Sequence, residues 1–272
     1  MIQLHMINTG HCRSWEHHLI TGGQRRLIDV PCMVALMHHP QHGWGLFDGG
    51  YSPRILEATA TMPYRIYRWV TPMTVTAESS VAGQIARFGI GPDDVRWIVI
   101  SHFHADHVAG LRDFPRARFI ATRAAFEDVC NSKGLPALLR AYLPSLLPED
   151  FTQRATLIDA FLSSSLEPFG GTRDLFGDGL IRLVPLPGHA CGQIGARVET
   201  AGGPVLLSAD ACWLSRGYRE LRNAHWLTRF IIDNAGQTRA TLTKVHELGI
   251  AHPTLRIFPT HCPEVRDRWV GQ

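Results

Sequence analysis

The strongest constraint on this chain is a run of four ligand-type residues that directly follows an apolar segment. Residues 102–107 read HFHADH, and residues 96–101 before them form a nearly continuous apolar run, which predicts a strand buried on both faces. Strand side chains alternate, so the two histidines of HFH point the same way, and an aspartate and a third histidine follow at the turn. This set suits zinc or a similar first-row metal. Its members are His102, His104, Asp106 and His107.

Three further ligand-type residues come at the ends of later predicted strands. These strands cover 181–186, 205–208 and 255–258, and a histidine or aspartate follows each of them closely. The carboxyl ends of strands meet at one edge of an α/β sheet, where such proteins assemble their sites. The alternative is that these residues are ordinary core and surface side chains. All seven candidates would then have to fall at these positions by coincidence. The three residues are His189, Asp210 and His261.

The pattern HxHxDH followed by His, Asp and His in this order resembles that of the metallo-β-lactamase superfamily, from about Cys32 to His261. The resemblance implies an α/β fold, a four-layer αββα sandwich, as a single domain over residues 1–272. It also implies two divalent metal ions, and the imidazole and carboxylate ligands favour zinc over manganese, iron or cobalt. The first ion is then held by His102, His104 and His189. The second is held by Asp106, His107 and His261, and Asp210 bridges the two.

A dinuclear site of this kind predicts a hydrolase. Two cations that share a water lower its pKa and supply hydroxide near neutral pH, which attacks a carbonyl carbon or a phosphorus atom. The resemblance implies catalytic roles for Asp106 and Asp210, with Asp106 as a proton shuttle to the leaving group. Asp48, in the segment FDGG, matches the early D-x-G turn of the family and is expected to orient a ligand histidine. The alternative is an ordinary turn aspartate.

The plan of the chain most resembles the N-acyl-homoserine-lactone lactonases of this superfamily. The length, a strand hairpin before the D-x-G turn and the segment PGHACGQ at 187–193 are similar, which implies opening of a lactone or cleavage of a related ester. One residue departs from the pattern: Trp213 lies three residues after the bridging aspartate, where those lactonases often carry tyrosine. An indole N–H only donates and is bulkier than a phenol. Trp213, or Tyr218 from the same loop, is expected to contact the substrate.

Other functions of the same fold stay open at this point. A mononuclear iron enzyme of the persulfide dioxygenase type keeps a similar motif. Phosphodiesterases and β-lactamases of the superfamily share the ligand set, and a vestigial binding protein is a further alternative. Metal content separates the first of these from a dinuclear hydrolase, because it would bind one iron and consume oxygen.

Composition narrows the partners and the compartment. The formal charge is +3 and the basic residues are scattered, so the chain predicts a small-molecule substrate and no nucleic acid. No apolar run approaches the length of a bilayer span, and the first residues do not resemble a secretory signal. Six cysteines without a CxxC pair favour the cytoplasm. A homodimer is compatible with this pattern.

Other side chains are interpreted as structural. Cys191, Cys212 and Cys262 follow three of the ligands closely and are expected to be small packing residues, with a thiol shell around the metals as the alternative. A turn at 38–43 predicts exposed histidines at 38, 39 and 42. Residues 134–166 predict a mostly helical insertion near the site. Strands are predicted at 32–37, 44–47, 118–120 and 195–199, and helices at 80–88, 122–130 and 234–248.

Overall fold

The strands fall into two groups along the chain. The computed structural model describes residues 1–271, apart from the side chain of residue 229. The first group is β1 (Gln3–Trp15), β2 (Leu27–His39), β3 (Gly43–Phe47), β4 (Met73–Thr74), β5 (Val95–Val99), β6 (Arg118–Thr122) and β7 (Ala155–Ile158). The second group is β8 (Ser165–Leu166), β9 (Gly170–Gly171), β10 (Arg173–Asp174), β11 (Ile181–Pro185), β12 (Ile194–Thr200), β13 (Gly203–Ala209) and β14 (Arg256–Pro259).

Helices connect these strands and cover their outer faces. They are α1 (Glu16–Leu19), α2 (Arg54–Ala58), α3 (Arg65–Val70), α4 (Val81–Gln84), α5 (Ala105–Val108), α6 (Arg123–Asn131), α7 (Gly134–Leu139), α8 (Phe151–Arg154), α9 (Ser215–Arg219), α10 (Ala235–Ala251) and α11 (Pro263–Trp269). Short 3₁₀ helices lie at Ile85–Phe88, Pro92–Asp94, Leu111–Asp113, Pro144–Leu146 and Trp226–Phe230. Within residues 1–271, no helix combines the length and the apolar character needed to span a bilayer.

Two mixed sheets form the centre of the fold. The first has the strand order β4-β1-β2-β3-β5-β6-β7 and is parallel from β3 to β7. The second has the order β10-β11-β12-β13-β14 and is antiparallel except for the pair β13–β14. Parallel pairs need crossover connections, which helices supply here. The ligand-type residues therefore come at the carboxyl ends of β5, β13 and β14.

Alternation along the strands produces the four layers. In β2, Val34 and Leu36 face the helices of the first sheet, whereas Met33, Ala35 and Met37 face the second sheet. Because strand side chains alternate with period two, one strand buries apolar residues on both of its faces. These apolar side chains, inserted between the two sheets, form a shared core.

The second sheet is buried in the same way. Leu206 of β13 packs against Val245 and Leu248 of α10, whereas Val205 and Leu207 face the first sheet. The order of layers is helix, sheet, sheet, helix, which confirms the predicted αββα sandwich. A single domain over 1–272 stays a prediction.

Three local predictions were wrong. The long strand β1 was missed, because its pattern is interrupted at Gly10 (φ 135°) and its stability comes from pairing with β2. Residues 134–166 are only partly helical, because the stretch contains prolines and Ala155–Ile158 joins the edge of the first sheet as β7. His39 is fully buried, with Nε2 2.9 Å from an oxygen of Asp178 and its ring against Phe176. Only His42 of the three turn histidines is exposed.

Candidate metal centre

The seven predicted ligands converge at one edge of the two sheets. Those of the HFHADH segment follow β5 and enter α5, and the remaining three follow β11, β13 and β14. Six of the seven are buried and Asp106 is partly exposed. The structure therefore brings together every ligand candidate that the sequence indicated, from four separate strand ends.

Three histidines form the first group of donors. Nδ1 of His104 lies 3.0 Å from Nε2 of His189, and the rings of His102 and His189 have centroids 5.0 Å apart. One nitrogen from each of the three histidines lies within 4.8 Å of the others. Two imidazole nitrogens so close to each other suit a shared cation, because neutral imidazole is a common ligand of Zn²⁺.

Asp106, His107 and His261 form the second group. An oxygen of Asp106 lies 3.4 Å from Nε2 of His261 and 4.0 Å from Nε2 of His107. The donor atoms of this group also lie within 4.8 Å of one another. Two nitrogens and one carboxylate oxygen again make a set that suits a first-row divalent ion.

Asp210 lies between the two groups. Its Oδ2 is 3.3 Å from Nε2 of His189 and 3.2 Å from Nε2 of His261, and its Oδ1 is 3.4 Å from Nε2 of His107. Burial opposes ionisation of this carboxyl, but His261, His107 and His189 hold its pKa well below the usual value. One buried carboxylate thus faces donors of both groups.

Buried atoms without partners show that this arrangement fits cations. Among the described side chains, Nε2 of His102, Nε2 of His107 and Oδ1 of Asp210 are buried and lack a hydrogen-bond partner. An unsatisfied buried polar group costs about 1–3 kcal/mol. Three of them directed into one cluster are explained when metal ions supply the missing partners.

Hydrogen bonds outside the ligands fix which nitrogen faces the cluster. Asp48 accepts from Nδ1 of His107 at 2.8 Å and from the backbone N–H of Ser101 at 2.7 Å. The Ser101 hydroxyl lies 2.9 Å from Nδ1 of His102 and donates to Asp48 at 2.8 Å. The carbonyl of Pro31 accepts from Nδ1 of His261 at 2.8 Å. In each of these histidines, Nε2 is left to face the cluster, where it would bind a metal ion.

Asp48 contacts a candidate ligand histidine, and its orienting role stays a prediction. Its φ of 67° lies in the left-handed region, which aspartate tolerates better than most residues. Sequence reasoning missed Ser101 and the carbonyl of Pro31. The position of Ser101 directly before the motif was a usable signal, whereas a backbone carbonyl 230 residues from His261 leaves none.

The two groups differ in their affinity for protons. Burial and neighbouring imidazoles hold the pKa values of His102 and His104 well below the usual value, and burial lowers the pKa of His189 to about 4. These three histidines are consequently neutral at pH 7 and available to a metal.

The second group is protonated more readily. Burial lowers the pKa of His107, but Asp48, Asp210 and Asp106 outweigh it and raise that pKa well above its usual value. Burial also lowers the pKa of His261, but Asp210 and, to a lesser extent, Asp106 outweigh burial and raise that pKa above its usual value. A metal that binds here must displace protons.

The two residues expected to contact substrate lie in different surroundings. Trp213 is buried against the cluster and donates its indole N–H to Oδ2 of Asp210 at 2.9 Å. The ring of Tyr218 packs instead beside Gly249 of α10, in a groove of about 570 Å³ that Ile250 and Trp269 also line. The Tyr218 ring thus packs against α10, whereas Trp213 contacts the candidate ligands, and a substrate contact of Tyr218 stays a prediction.

The three cysteines near the candidate ligands are buried or partly buried. Burial raises the pKa values of the Cys191 and Cys212 thiols, and Cys262 is buried where its sulfur accepts from the backbone N–H of Ser215 at 3.3 Å. Raised pKa values disfavour the reactive thiolate form. Sequence reasoning passed over Cys32, which donates its S–H to the carbonyl of Asp106 at 3.2 Å.

An Asp48→Asn variant is expected to bind the second metal ion about 10–100-fold more weakly than the unmodified protein. Asparagine keeps the size and tolerates the left-handed backbone, but it removes the charge that accepts from His107. Competition with a chromophoric chelator measures both affinities. Asp94→Asn, which alters an exposed turn aspartate that accepts from Gly91, is the matched control. Two unchanged affinities in Asp48→Asn would show that Asp48 does not support the site.

The fold and the paired donor groups together define a metal-dependent hydrolase. The chain belongs to the metallo-β-lactamase superfamily, whose family profile matches residues 33–252. Membership agrees with the αββα layers and with the order of the ligands along the chain. The resemblance seen in the sequence is therefore confirmed.

Two of the proteins that this chain resembles are named as a lactonase and a probable metallo-hydrolase. The chain is 29% identical over 218 residues to an N-acyl homoserine lactonase AttM of Azorhizobium caulinodans, which covers 78% of this chain and 77% of the relative. It is 27% identical over 268 residues to a probable metallo-hydrolase, Rv2300c, of Mycobacterium tuberculosis, covering 92% and 80%.

Solved structures show the same fold. An N-acyl homoserine lactone hydrolase with the product N-hexanoyl-L-homoserine at its catalytic metal centre superposes with a TM-score of 0.74 at 19% identity, covering 97% of this chain and 95% of that one. AidC, a dizinc quorum-quenching lactonase, gives a TM-score of 0.68 at 14% identity, covering 96% and 88%. At these identities the similarity is one of fold.

Proposed function

We propose that this protein uses two metal ions to open a lactone or to cleave a closely related ester. The observation that carries the proposal is the position of Asp210, whose carboxylate faces donors of both groups. A mononuclear site has no use for a second donor group with its own carboxylate. Two ions bound side by side make use of both groups and of the carboxylate between them.

The chain itself performs several parts of the reaction. When bound, two divalent ions lower the pKa of a shared water towards neutrality and polarise the substrate carbonyl. Asp210 holds the two groups in a fixed relation. Asp106, which is partly exposed, borders the solvent side of the cluster and is the residue that we propose passes a proton to the leaving alcohol. Asp48 and Ser101 keep His107 and His102 directed at the cluster.

The substrate class follows from the relatives. Lactonase names occur repeatedly among them, and one structure of this fold holds the product N-hexanoyl-L-homoserine at its catalytic metal centre. A lactone carbonyl is an electrophile that this arrangement of donors suits. We therefore extend the proposal to a lactone as substrate and to zinc as the metal. A cytoplasmic location and a homodimer stay predictions from the sequence.

The alternative functions make different demands. A persulfide dioxygenase needs one iron ion and open positions for oxygen, so the second donor group would serve no purpose. Phosphodiesterases and β-lactamases of this superfamily differ from lactonases in the substrate and share the ligand chemistry. Only a direct comparison of substrates distinguishes them from a lactonase.

A substrate panel tests the proposed function. Protein loaded with zinc or with manganese is assayed on N-acyl homoserine lactones, simple lactones, aryl esters, a phosphodiester and a cephalosporin, and its metal content is measured in parallel. We expect about two ions per chain and the highest kcat/KM on a lactone. One iron per chain with oxygen uptake, or a clear preference for the phosphodiester or the cephalosporin, would contradict the proposal.

Metal binding is expected to depend on pH differently in the two groups. His107 and His261 have raised pKa values, so protons compete with the second ion at and below neutral pH. His189, with a pKa of about 4, is free of protons until far lower pH. As the pH falls from 8 to 6, the second ion is therefore lost first and the first is retained. Calorimetric zinc titrations in buffers of different ionisation enthalpy measure the protons released, and two ions with equal pH dependence would contradict the assignment.

A further inference from the structure

Trp213 lies at the position where resembling lactonases often carry tyrosine, and here its polar atom is already engaged. Nε1 of the indole is 2.9 Å from Oδ2 of Asp210. The ring is 9% exposed and meets the ring of His189 edge to face, with the centroids 5.8 Å apart and an interplanar angle of 84°. The side chain thus contacts a bridging carboxylate and a ligand of the first group at once.

An indole has one donor and no acceptor. Its single N–H is used in the bond to Asp210, so it has none left for a substrate carbonyl. The ring is also fixed by its apolar neighbours, since it packs in a cluster with Leu19, Ile20 and Leu214. The space beside it, lined by His189 and Asp210 among others, is about 20 Å³. That volume admits about one water and no substrate.

The hydrogen bond has a direct consequence for the carboxylate. Each oxygen of a carboxylate has two lone pairs, and one from each oxygen suffices to face the two donor groups. The indole N–H occupies a further lone pair on Oδ2, the oxygen that lies near both His189 and His261. Rotation of the carboxylate about its Cβ–Cγ bond would break this bond. Hydrogen bonds to charged groups contribute about 1.5–3 kcal/mol, enough to select one orientation.

We propose that Trp213 is a positioning residue that fixes the orientation of Asp210 across the two donor groups, and that it does not bind the substrate. The inference rests on the proposed dinuclear function and replaces the expected substrate contact of Trp213. With Trp213 bonded to Asp210, no side chain at this position polarises the substrate carbonyl. On this side of the site the metal ions alone would do so. Loss of the indole N–H then weakens the metal arrangement and the turnover, whereas substrate affinity changes little.

Two variants of Trp213 separate its hydrogen bond from its bulk. Trp213→Phe removes the N–H and part of the ring, and incorporation of β-(3-benzothienyl)alanine at position 213 removes only the N–H and keeps the shape. Trp226→Phe, which changes an exposed tryptophan outside the cluster, is the matched control. Cobalt-substituted protein reports the geometry of the ligands through its visible absorption spectrum, independently of turnover.

For the benzothienyl variant we expect kcat to fall about 10–100-fold, KM to change less than about threefold, the second ion to bind more weakly and the cobalt spectrum to shift. Trp226→Phe should match the unmodified protein in kcat, KM, affinity for the second ion and cobalt spectrum. A raised KM with unchanged kcat would show that the indole N–H binds substrate, and unchanged kcat, affinity and spectrum would show that the bond has no role. Either result overturns the proposal.

A measurement without turnover distinguishes this inference from the proposed function. In metal-free protein labelled with ¹⁵N-tryptophan, the indole signal that disappears in Trp213→Phe belongs to Trp213. It is expected to move upfield in Asp210→Asn, because a neutral acceptor forms a weaker hydrogen bond. An unmoved signal would overturn the hydrogen bond even in an active lactonase. A moved signal in a protein without lactonase activity would support the bond and contradict only the substrate.

Discussion

Replacing Asp210 by alanine is expected to lower kcat/KM by about 10³-fold or more while the fold is retained. The carboxylate faces both donor groups, so its loss separates the two ions and removes several kcal/mol of transition-state stabilisation. Metal content is expected to fall from about two ions per chain to about one, because His102, His104 and His189 still offer a complete group of nitrogens. Steady-state kinetics and elemental analysis on the same samples measure both effects.

The control for Asp210→Ala is another aspartate on the same chain. Asp159 is exposed and pairs with Arg123, so Asp159→Ala should keep its metals and its turnover. Circular dichroism checks that both variants keep their secondary structure. Activity within a few-fold of the unmodified protein in Asp210→Ala would exclude the two-metal mechanism. If that variant fails to fold, Asp210→Asn keeps the volume and tests the same loss of charge.

The second large effect is expected at Gly188, the residue before His189. Its φ is 126°, and a Cβ there would lie 2.1 Å from the backbone nitrogen of Thr238 in α10. Neither the backbone of the loop nor that of the helix can give way cheaply, because Asn234 donates to the Gly188 carbonyl at 2.8 Å. Gly188→Ala is expected to cost about 3 kcal/mol or more, through strain and overpacking. For a chain of this size that lowers Tm by about 6–12 °C.

The same substitution reaches the metal centre. His189 follows directly and its carbonyl accepts from Asp233 at 3.0 Å, so displacement of the loop moves an imidazole out of the first donor group. Zinc titration should show the first ion weakened as well as the second. Gly203→Ala is the control, since its φ of 99° is also left-handed and no atom lies within 4 Å of its added Cβ. It should lose only the strain energy, about 1–2 kcal/mol, and keep both ions. Equal losses in the two variants would mean that the contact with α10 is unimportant.

Much of the site could be predicted because its candidate ligands occur in short segments of the sequence. HFHADH follows a buried strand, and His189, Asp210 and His261 each follow another strand within a few residues. Strand ends of an α/β sheet meet at one edge, so the spacing along the chain was sufficient to predict that the seven candidate ligands lie together. The αββα layers were implied by the resemblance, whereas the grouping of strands and helices along the chain predicted only a layered α/β fold.

What could not be predicted depends on partners far along the chain. His39 was expected at the surface, but Asp178 and Phe176 cover it from another strand connection. β1 has little local strand signal and depends on its long pairing with β2. Ala155–Ile158 was interpreted as helical, yet the free edge of β6 pairs with it. In each case long-range hydrogen bonds or burial outweighed the local preference.

The sequence by itself determined the identity and the order of the candidate ligands, and with them the class of the enzyme. The tertiary structure alone decided how the residues around those ligands are used. Trp213 lies just before α9 and Tyr218 lies within it, only five residues apart, but the first donates to Asp210 and the second packs on α10. Ligand chemistry depends on residue type and local spacing, which a sequence states directly. The direction of one indole N–H depends on how distant segments pack around it, and only the folded chain fixes that.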